Sequence, residues 1–209
     1  MTTQPYSKLA KWYDALYSDE FYNDYGAFIQ HIIEQKKLSP VSMLDLACGT
    51  GRLMSVLAQK LEKMTGIDNS VAMLEKAQKL LPLVNFYNQD LQSFELNERY
   101  NIITCIFDSI NYILDDDGLA QVFQHVQRHL EPNGVFIFDF NTDYKQSVGE
   151  IQKGEITYRD NINNGLWDIT IETPSGNEQH RERLYSFNQM QNTLLKTGLF
   201  IQVGLSHFR

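Results

Sequence analysis

Apolar residues in the first forty positions recur at helical intervals. Between Tyr6 and Tyr17 they are Leu9, Trp12, Tyr13 and Leu16; between Glu20 and Lys37 they are Phe21, Tyr25, Phe28, Ile29, Ile32 and Ile33. Both runs predict amphipathic helices. Ser39–Pro40 stops the second, because proline disfavours helical geometry in the residue before it. From residue 41 the period changes, and short apolar runs alternate with further helical stripes. Val41–Ala47, Lys63–Ile67, Val84–Tyr87, Tyr100–Phe107 and Val135–Phe140 read as strands, the last entered through Pro132–Asn133–Gly134. Between them, Leu53, Val56, Leu57 and Leu61 share one helical face, as do Met73, Leu74, Ala77 and Leu81, and then Leu119, Val122, Phe123, Val126 and Leu130. Ser70 stands where an N-cap is expected, and Pro82 where that helix must stop. Strands alternating with amphipathic helices predict an α/β fold, a doubly wound and mostly parallel sheet covered on both faces.

After Tyr144 the pattern changes again. Ile156–Ile162 and Leu166–Thr173 flank Asn164–Gly165, a dipeptide suited to a tight hairpin turn. Pro174 to Asn177 makes a second turn, and Glu178–Tyr185 reads as a third antiparallel strand. Ser186 and Gln189 have the spacing of a capping box. They open a helix that closes at Gly198, and Leu199–His207 reads as a last strand. No repeat or linker divides the sequence. The expected organisation is one domain over residues 1–209: a helical lid at 1–40, an α/β core at 41–141, an inserted antiparallel cap at 155–185, and a last helix and strand at 186–209.

Composition narrows the function. No stretch approaches the roughly 20 apolar residues needed to span a bilayer, and the polar start MTTQPYSK lacks the apolar run of a secretory signal. A cytoplasmic protein without membrane contact is expected. The formal net charge is −8 with scattered basic residues, which counts against nucleic acid as a partner. Cys48 and Cys105 sit in apolar runs without metal-ligand spacing. His125 and His129 are four apart on a helix but lack a third ligand, so no metal is expected. Asp115–Asp116–Asp117 reads as a helix start, where negative charge is favourable.

Candidate chemistry begins at Leu44–Arg52, LDLACGTGR. A strand enters a glycine turn and a helix leaves it. Gly49 and Gly51 permit backbone angles and close ligand approach that a side chain would block, and the free N–H groups of the new helix favour an anionic or polar group. A dinucleotide fingerprint needs a third glycine. Met54 stands there and would crowd the helix against the strand, so a nicotinamide or flavin site fits poorly.

The run Asp45-x-Ala47-Cys48-Gly49-Thr50-Gly51 resembles the signature loop of class I S-adenosylmethionine-dependent methyltransferases, with Ala47 where many members have glycine. Later segments extend the resemblance over roughly residues 6–207. Asp68, in GIDNS with Asn69, ends the second strand, where the family's acidic residue holds the ribose hydroxyls. Asp90–Leu91 follows the third strand, where the family grips adenine. Phe107–Asp108–Ser109, with Asn111–Tyr112, follows the fourth, where members line the methyl-transfer site. Tyr13 and Tyr22 lie in segments similar to the family's helical lid. The resemblance thus implies S-adenosylmethionine as cofactor, held by Asp45, Ala47, Cys48, Gly49, Gly51, Arg52, Asp68, Asn69, Asp90, Leu91, Phe107 and Tyr22. It implies Asp108, Tyr112 and Tyr13 as the residues shaping the catalytic site. Bland readings stand beside these: Asp68 as a helix-terminal carboxylate, Asp90 as a solvated loop residue, Arg52 as a solvated first-turn side chain.

Similarity is greatest to the branch acting on small molecules, which includes amino-sugar and glycine-type N-methyltransferases. N- or O-methylation of a small molecule by in-line displacement is therefore expected. A cofactor-binding regulatory protein and an RNA-modifying methyltransferase are the alternatives. In the cap, Tyr158, Trp167, His180, Arg181 and Arg183 are candidates to touch substrate, although Gln179, Arg181 and Arg183 alternate as a solvent face would. The family's final antiparallel strand has no counterpart before Arg209. A homodimer or a shortened chain would each account for the sheet edge this leaves.

Overall fold

The computed structural model describes residues 6–39 and 41–202. Its central layer is a five-stranded parallel sheet in the order β3-β2-β1-β4-β5, formed by β1 Ser42–Leu46, β2 Lys63–Asp68, β3 Asn85–Asn88, β4 Tyr100–Cys105 and β5 Leu130–Phe138. Successive side chains of a strand point to opposite faces, and the two faces feed two apolar layers. Leu44, Leu46 and Ile103 pack with Leu119, Val122, Phe123 and Val126 of α5 (Asp116–His129) and with Met190 and Leu194 of α6 (Phe187–Lys196). Met43 and Ile102 face the other way, against Ile29 of α2 (Asp19–Lys36) and Leu53 and Leu57 of α3 (Arg52–Leu57). Burial on both faces explains why β1 and β4 read as nearly unbroken apolar runs. α4 (Val71–Leu80) completes the crossovers.

The expected elements recur with shifted ends. The turn expected at Pro132–Asn133–Gly134 lies inside β5 as a bulge. The ladder jumps from Tyr100↔Leu130 to Ile102↔Val135, and Asn133 adopts φ 69°. Asp115 caps α5 by accepting the Gly118 N–H at 2.7 Å, and Ser186 and Gln189 form the capping box of α6. Of the expected last strand Leu199–His207, residues 199–202 form no strand and 203–207 lie outside the described residues.

The cap is a separate antiparallel sheet in the order β6-β7-β8-β9, comprising β6 Glu150–Lys153, β7 Ile156–Asn163, β8 Leu166–Thr173 and β9 Gly176–Arg183. Asn164 and Gly165 both adopt positive φ, 51° and 74°, as a two-residue hairpin turn requires. β6 was not expected. All four of its residues are exposed, so no alternation marks it, and it exists by pairing with β7. The inner face of the cap, with Ile156, Ile169 and Ile171, packs on Leu9, Trp12 and Tyr13 at the start of the chain, where α1 spans Ala10–Leu16. Lid and cap thus form one layer beyond the carboxyl ends of the strands. Among the described residues no helix is long and apolar enough to cross a membrane.

Candidate active site

In an open parallel sheet, ligands bind outside the carboxyl ends of the strands where strand order reverses. Here that point lies between β1 and β4. A cavity opens there, roofed by the lid.

The glycine loop forms its floor. Ala47, Gly49 and Gly51 all take positive φ (53°, 55° and 78°). The two glycines serve different ends. A side chain at Gly51 would press on Ala77 of α4 at 3.3 Å, whereas one at Gly49 would meet nothing within 4 Å. Gly51 therefore lets two helices approach, and it does not line the cavity; Gly49 leaves open space beside the loop. Asp68 locks the loop to the end of β2. Its carboxylate accepts the Gly49 N–H at 2.8 Å and the Ser70 N–H at 2.7 Å. Burial pushes its pKa up, and these backbone bonds oppose the shift. Neither bond exhausts a carboxylate oxygen, so lone pairs remain for a ligand hydroxyl.

Beneath the loop, Asp45 accepts the Thr104 hydroxyl at 2.6 Å and is almost wholly buried. Burial raises its carboxyl to about 7, the Thr104 bond pulls it down, and the Asp68 charge adds to the rise. An unfolded aspartate titrates near 3.9. The folded chain thus holds a proton that the unfolded chain releases between about pH 4 and pH 7, and stability from this group falls as pH rises through that window. Asp45→Asn should match wild type near pH 4 and exceed it at pH 8 by on the order of 4 kcal/mol, measured by urea unfolding without cofactor. Equal stability of the two proteins at pH 8 would show that Asp45 is ionised without penalty.

Phe107 and Asp108, after β4, are consecutive left-handed residues at φ 62° and 50°. Such strain in non-glycine residues persists only where surroundings enforce it. Here the Asp108 N–H is held by Asp139 at 2.9 Å, its carboxylate accepts Asn141 Nδ2 at 2.5 Å, and the Phe107 ring stacks on Phe21 at 4.8 Å between centroids. Tyr22 and Tyr25 of α2 also pack on Phe107.

Of the residues singled out by sequence, Asp45, Ala47, Cys48, Gly49, Arg52, Asp68, Asn69, Asp90, Leu91, Phe107, Tyr13, Tyr22 and Tyr112 line the cavity, whereas Gly51 and Asp108 do not. Arg52 reaches the rim, but its guanidinium is engaged by the lid. Nη1 donates to the carbonyls of Asp14 (3.1 Å) and Tyr17 (2.9 Å), Nη2 pairs with Asp19, and the group lies 4.1 Å from the Tyr22 ring centroid. Asp14, which sequence reasoning did not weigh, is a second clasp, accepting Thr50 Oγ1 at 2.6 Å and Lys76 Nζ at 2.7 Å. Arg52→Ala should lower hydrogen-exchange protection across residues 14–22 by about tenfold or more, since charge-assisted hydrogen bonds are worth roughly 1.5–3 kcal/mol. Protection in β1 and β4 should not change; unchanged exchange in the lid would remove the clasp.

His125 and His129 hold no metal geometry. His129 is buried, with Nδ1 on the His125 carbonyl at 2.7 Å and Nε2 on the backbone of Leu96. Among the described residues no group of three or more ligating side chains comes together.

Comparison with known proteins agrees with this geometry. Residues 43–134 match the family model described as a methyltransferase domain. A crystal structure of an S-adenosylmethionine-dependent methyltransferase from Clostridium acetobutylicum is 30% identical and superposes with a TM-score of 0.79, over 93% of this chain and 87% of that one. This chain belongs to the S-adenosylmethionine-dependent methyltransferases. An amino pentose methyltransferase from Micromonospora echinaspora shares the fold at 18% identity, with a TM-score of 0.73 over 89% of this chain and 87% of its own. A dTDP-4-amino-2,3,4,6-tetradeoxy-D-glucose N,N-dimethyltransferase from Saccharopolyspora spinosa is 31% identical over 130 residues, 61% of this chain and 52% of that protein. The chain spans between 52% and 59% of the length of the first curated relatives it matches.

The residues present fit the family's cofactor. The space beside Gly49 admits a ligand against the backbone, and the Asp68 carboxylate offers acceptors to vicinal hydroxyls. Leu91 and Ile113 add apolar surface to the same cavity.

Proposed function

We propose that this methyltransferase moves a methyl group from S-adenosylmethionine to an amine nitrogen of a small molecule, an amino sugar being the favoured class. The observation that carries the reading is the continuity of one cavity. Asp68, Asn69, Asp90 and Leu91 line one part of it, and Tyr6, Tyr13 and Tyr112 line another. The first part suits a hydroxylated sugar joined to a flat base. The second is aromatic; burial raises the pKa of Tyr13 and Tyr112, neighbouring tyrosines add to the rise at Tyr13 and Glu182 at Tyr112, and the Asp108 charge contributes to both. Negative potential against aromatic walls favours the positive charge that develops on an amine nitrogen as it is methylated. Relatives described as dTDP-amino-sugar N,N-dimethyltransferases support the same class.

When bound, the cofactor supplies a methyl group already activated on a sulfonium sulfur. What remains for the protein is position and a dry site. In this reading Asp68 holds the ribose hydroxyls, and Asp90–Leu91 hold the adenine. Arg52 and Asp14 keep the lid over both partners, while Tyr13 and Tyr112, with Asp108 behind them, shape the acceptor side.

Incubation with methyl-labelled S-adenosylmethionine and a panel of dTDP-amino sugars, free amino sugars and small amino acids, read by mass spectrometry, tests the proposal. Label on an amine nitrogen is expected. Label only on hydroxyl acceptors or on tRNA, or none on a panel of cofactor-saturated reactions, would overturn it.

A further inference from the structure

The cap strand β9 is built inside out. Its alternation buries Glu178, His180 and Glu182, which are 1%, 2% and 3% exposed, while Asn177, Gln179 and Arg181 face solvent. A strand with one buried face normally turns apolar residues inward, and buried ionisable groups are costly unless paired. The pairing is specific. Glu178 accepts the Tyr6 N–H at 2.8 Å, the Leu9 N–H at 3.0 Å, the Ser7 hydroxyl at 3.3 Å and the Lys8 N–H. Its other contact is His180 Nε2 at 2.9 Å. His180 Nδ1 lies 2.7 Å from the Tyr112 hydroxyl, which lies 2.9 Å from the Tyr6 hydroxyl. Tyr6 and Tyr112 both line the cavity. A continuous chain of hydrogen bonds therefore runs from the cap, through Tyr112 after β4, to Tyr6 of the lid at the cavity wall.

Its direction follows from its end. Burial works against the Glu178 charge, but the bonds from His180, Lys8 and Leu9 outweigh it and hold the carboxyl at about 2. A carboxylate only accepts, so His180 Nε2 carries a hydrogen. In its neutral form the ring carries that hydrogen on Nε2 alone. Its Nδ1 is then an acceptor, and Tyr112 must donate to it. The Tyr112 oxygen in turn accepts the Tyr6 hydroxyl. Tyr6 is left with lone pairs and no spare hydrogen.

We propose that Glu178–His180–Tyr112–Tyr6 is a one-way proton relay, which makes the Tyr6 oxygen an obligate acceptor for an N–H at the cavity wall. The proposal rests on the methyl-transfer reading above. The acceptor nitrogen forms the new N–C bond with its lone pair as the C–S bond to the departing thioether breaks. The methylated ammonium gives its proton to the Tyr6 oxygen, Tyr6 passes its own to Tyr112, and Tyr112 passes its own to His180 Nδ1. The imidazolium so formed rests beside the Glu178 carboxylate, and charge is balanced. Tyr6 is the catalytic residue in this scheme. Tyr112, His180 and Glu178 act through it, as positioning and relay residues.

The test has two independent readouts. In 15N-histidine-labelled protein without ligand, His180 should show the neutral Nε2–H tautomer; an Nδ1–H ring or an imidazolium would overturn the polarity. With a dTDP-amino sugar as acceptor, Tyr6→Phe and Tyr112→Phe should each lower kcat by about 100-fold, the scale of general-base assistance. The double variant should be no worse than either single one, because both break the same chain. The Kd for S-adenosylmethionine should stay within about twofold. Unchanged kcat, or losses that multiply in the double variant, would overturn the relay. If wild type binds the cofactor but methylates no amine, the functional reading fails on its own, and the His180 spectrum still decides the relay's polarity.

Discussion

Gly49→Val should give a folded protein that no longer responds to S-adenosylmethionine. At φ 55° glycine is the natural occupant, and a left-handed L-residue costs about 1–2 kcal/mol. For a domain of this size that lowers Tm by only a few degrees, at about 2–4 °C per kcal/mol. Among the described residues, and apart from the two chain neighbours, no atom stands within 4 Å of the added Cβ, so packing there gives the fold no further reason to fail. The valine would instead fill the space beside the loop where the ligand must approach the backbone. Saturating ligand at about 100 times Kd stabilises a protein by roughly 2.7 kcal/mol, and that increment should vanish in the variant. Thermal melts with and without millimolar cofactor measure it. A retained shift would mean that the ligand lies elsewhere.

Asp68→Asn should weaken cofactor binding by roughly 10- to 100-fold, the cost of converting charge-assisted hydrogen bonds to neutral ones. Asp68 serves two masters, because the same carboxylate fixes the backbone of Gly49 and Ser70. The asparagine amide turns a donor toward one of those N–H groups, so some stability is lost as well, about 1–3 kcal/mol for an unmet buried donor. Calorimetric titration at a temperature where the variant is fully folded separates the two. A helix-terminal carboxylate with no ligand role would lose stability and keep the wild-type Kd.

The parts legible in sequence were those with a period or a punctuation mark. β1 and β4 are apolar on both faces, α5 carries a clean stripe, and Asn164–Gly165 marks its own hairpin. Asp45, Asp68 and Asp90 could be placed because they lie within, at the end of and just after recognisable strands, and the topology then brings them to one cavity. Three things were not legible. β6 has no buried face to imprint a pattern. Arg52 meets carbonyls of Asp14 and Tyr17, 38 and 35 residues away, and a backbone carbonyl leaves no trace in side-chain identity. Alternation in β9 did mark Gln179 and Arg181 as outward. Its corollary, that Glu178, His180 and Glu182 point inward, runs against the rule that polar residues face solvent, and the partners that compensate it are distant in sequence: the lid backbone for Glu178, Tyr112 for His180 and Asn141 for Glu182.

A crystal structure with S-adenosylhomocysteine tests the central claim most directly. The ribose hydroxyls should lie on the Asp68 carboxylate, the ligand should pass over Gly49, and the thioether sulfur should face Tyr6, Tyr13 and Tyr112. A ribose bound away from Asp68, or a sulfur turned from the tyrosines toward solvent, would contradict it.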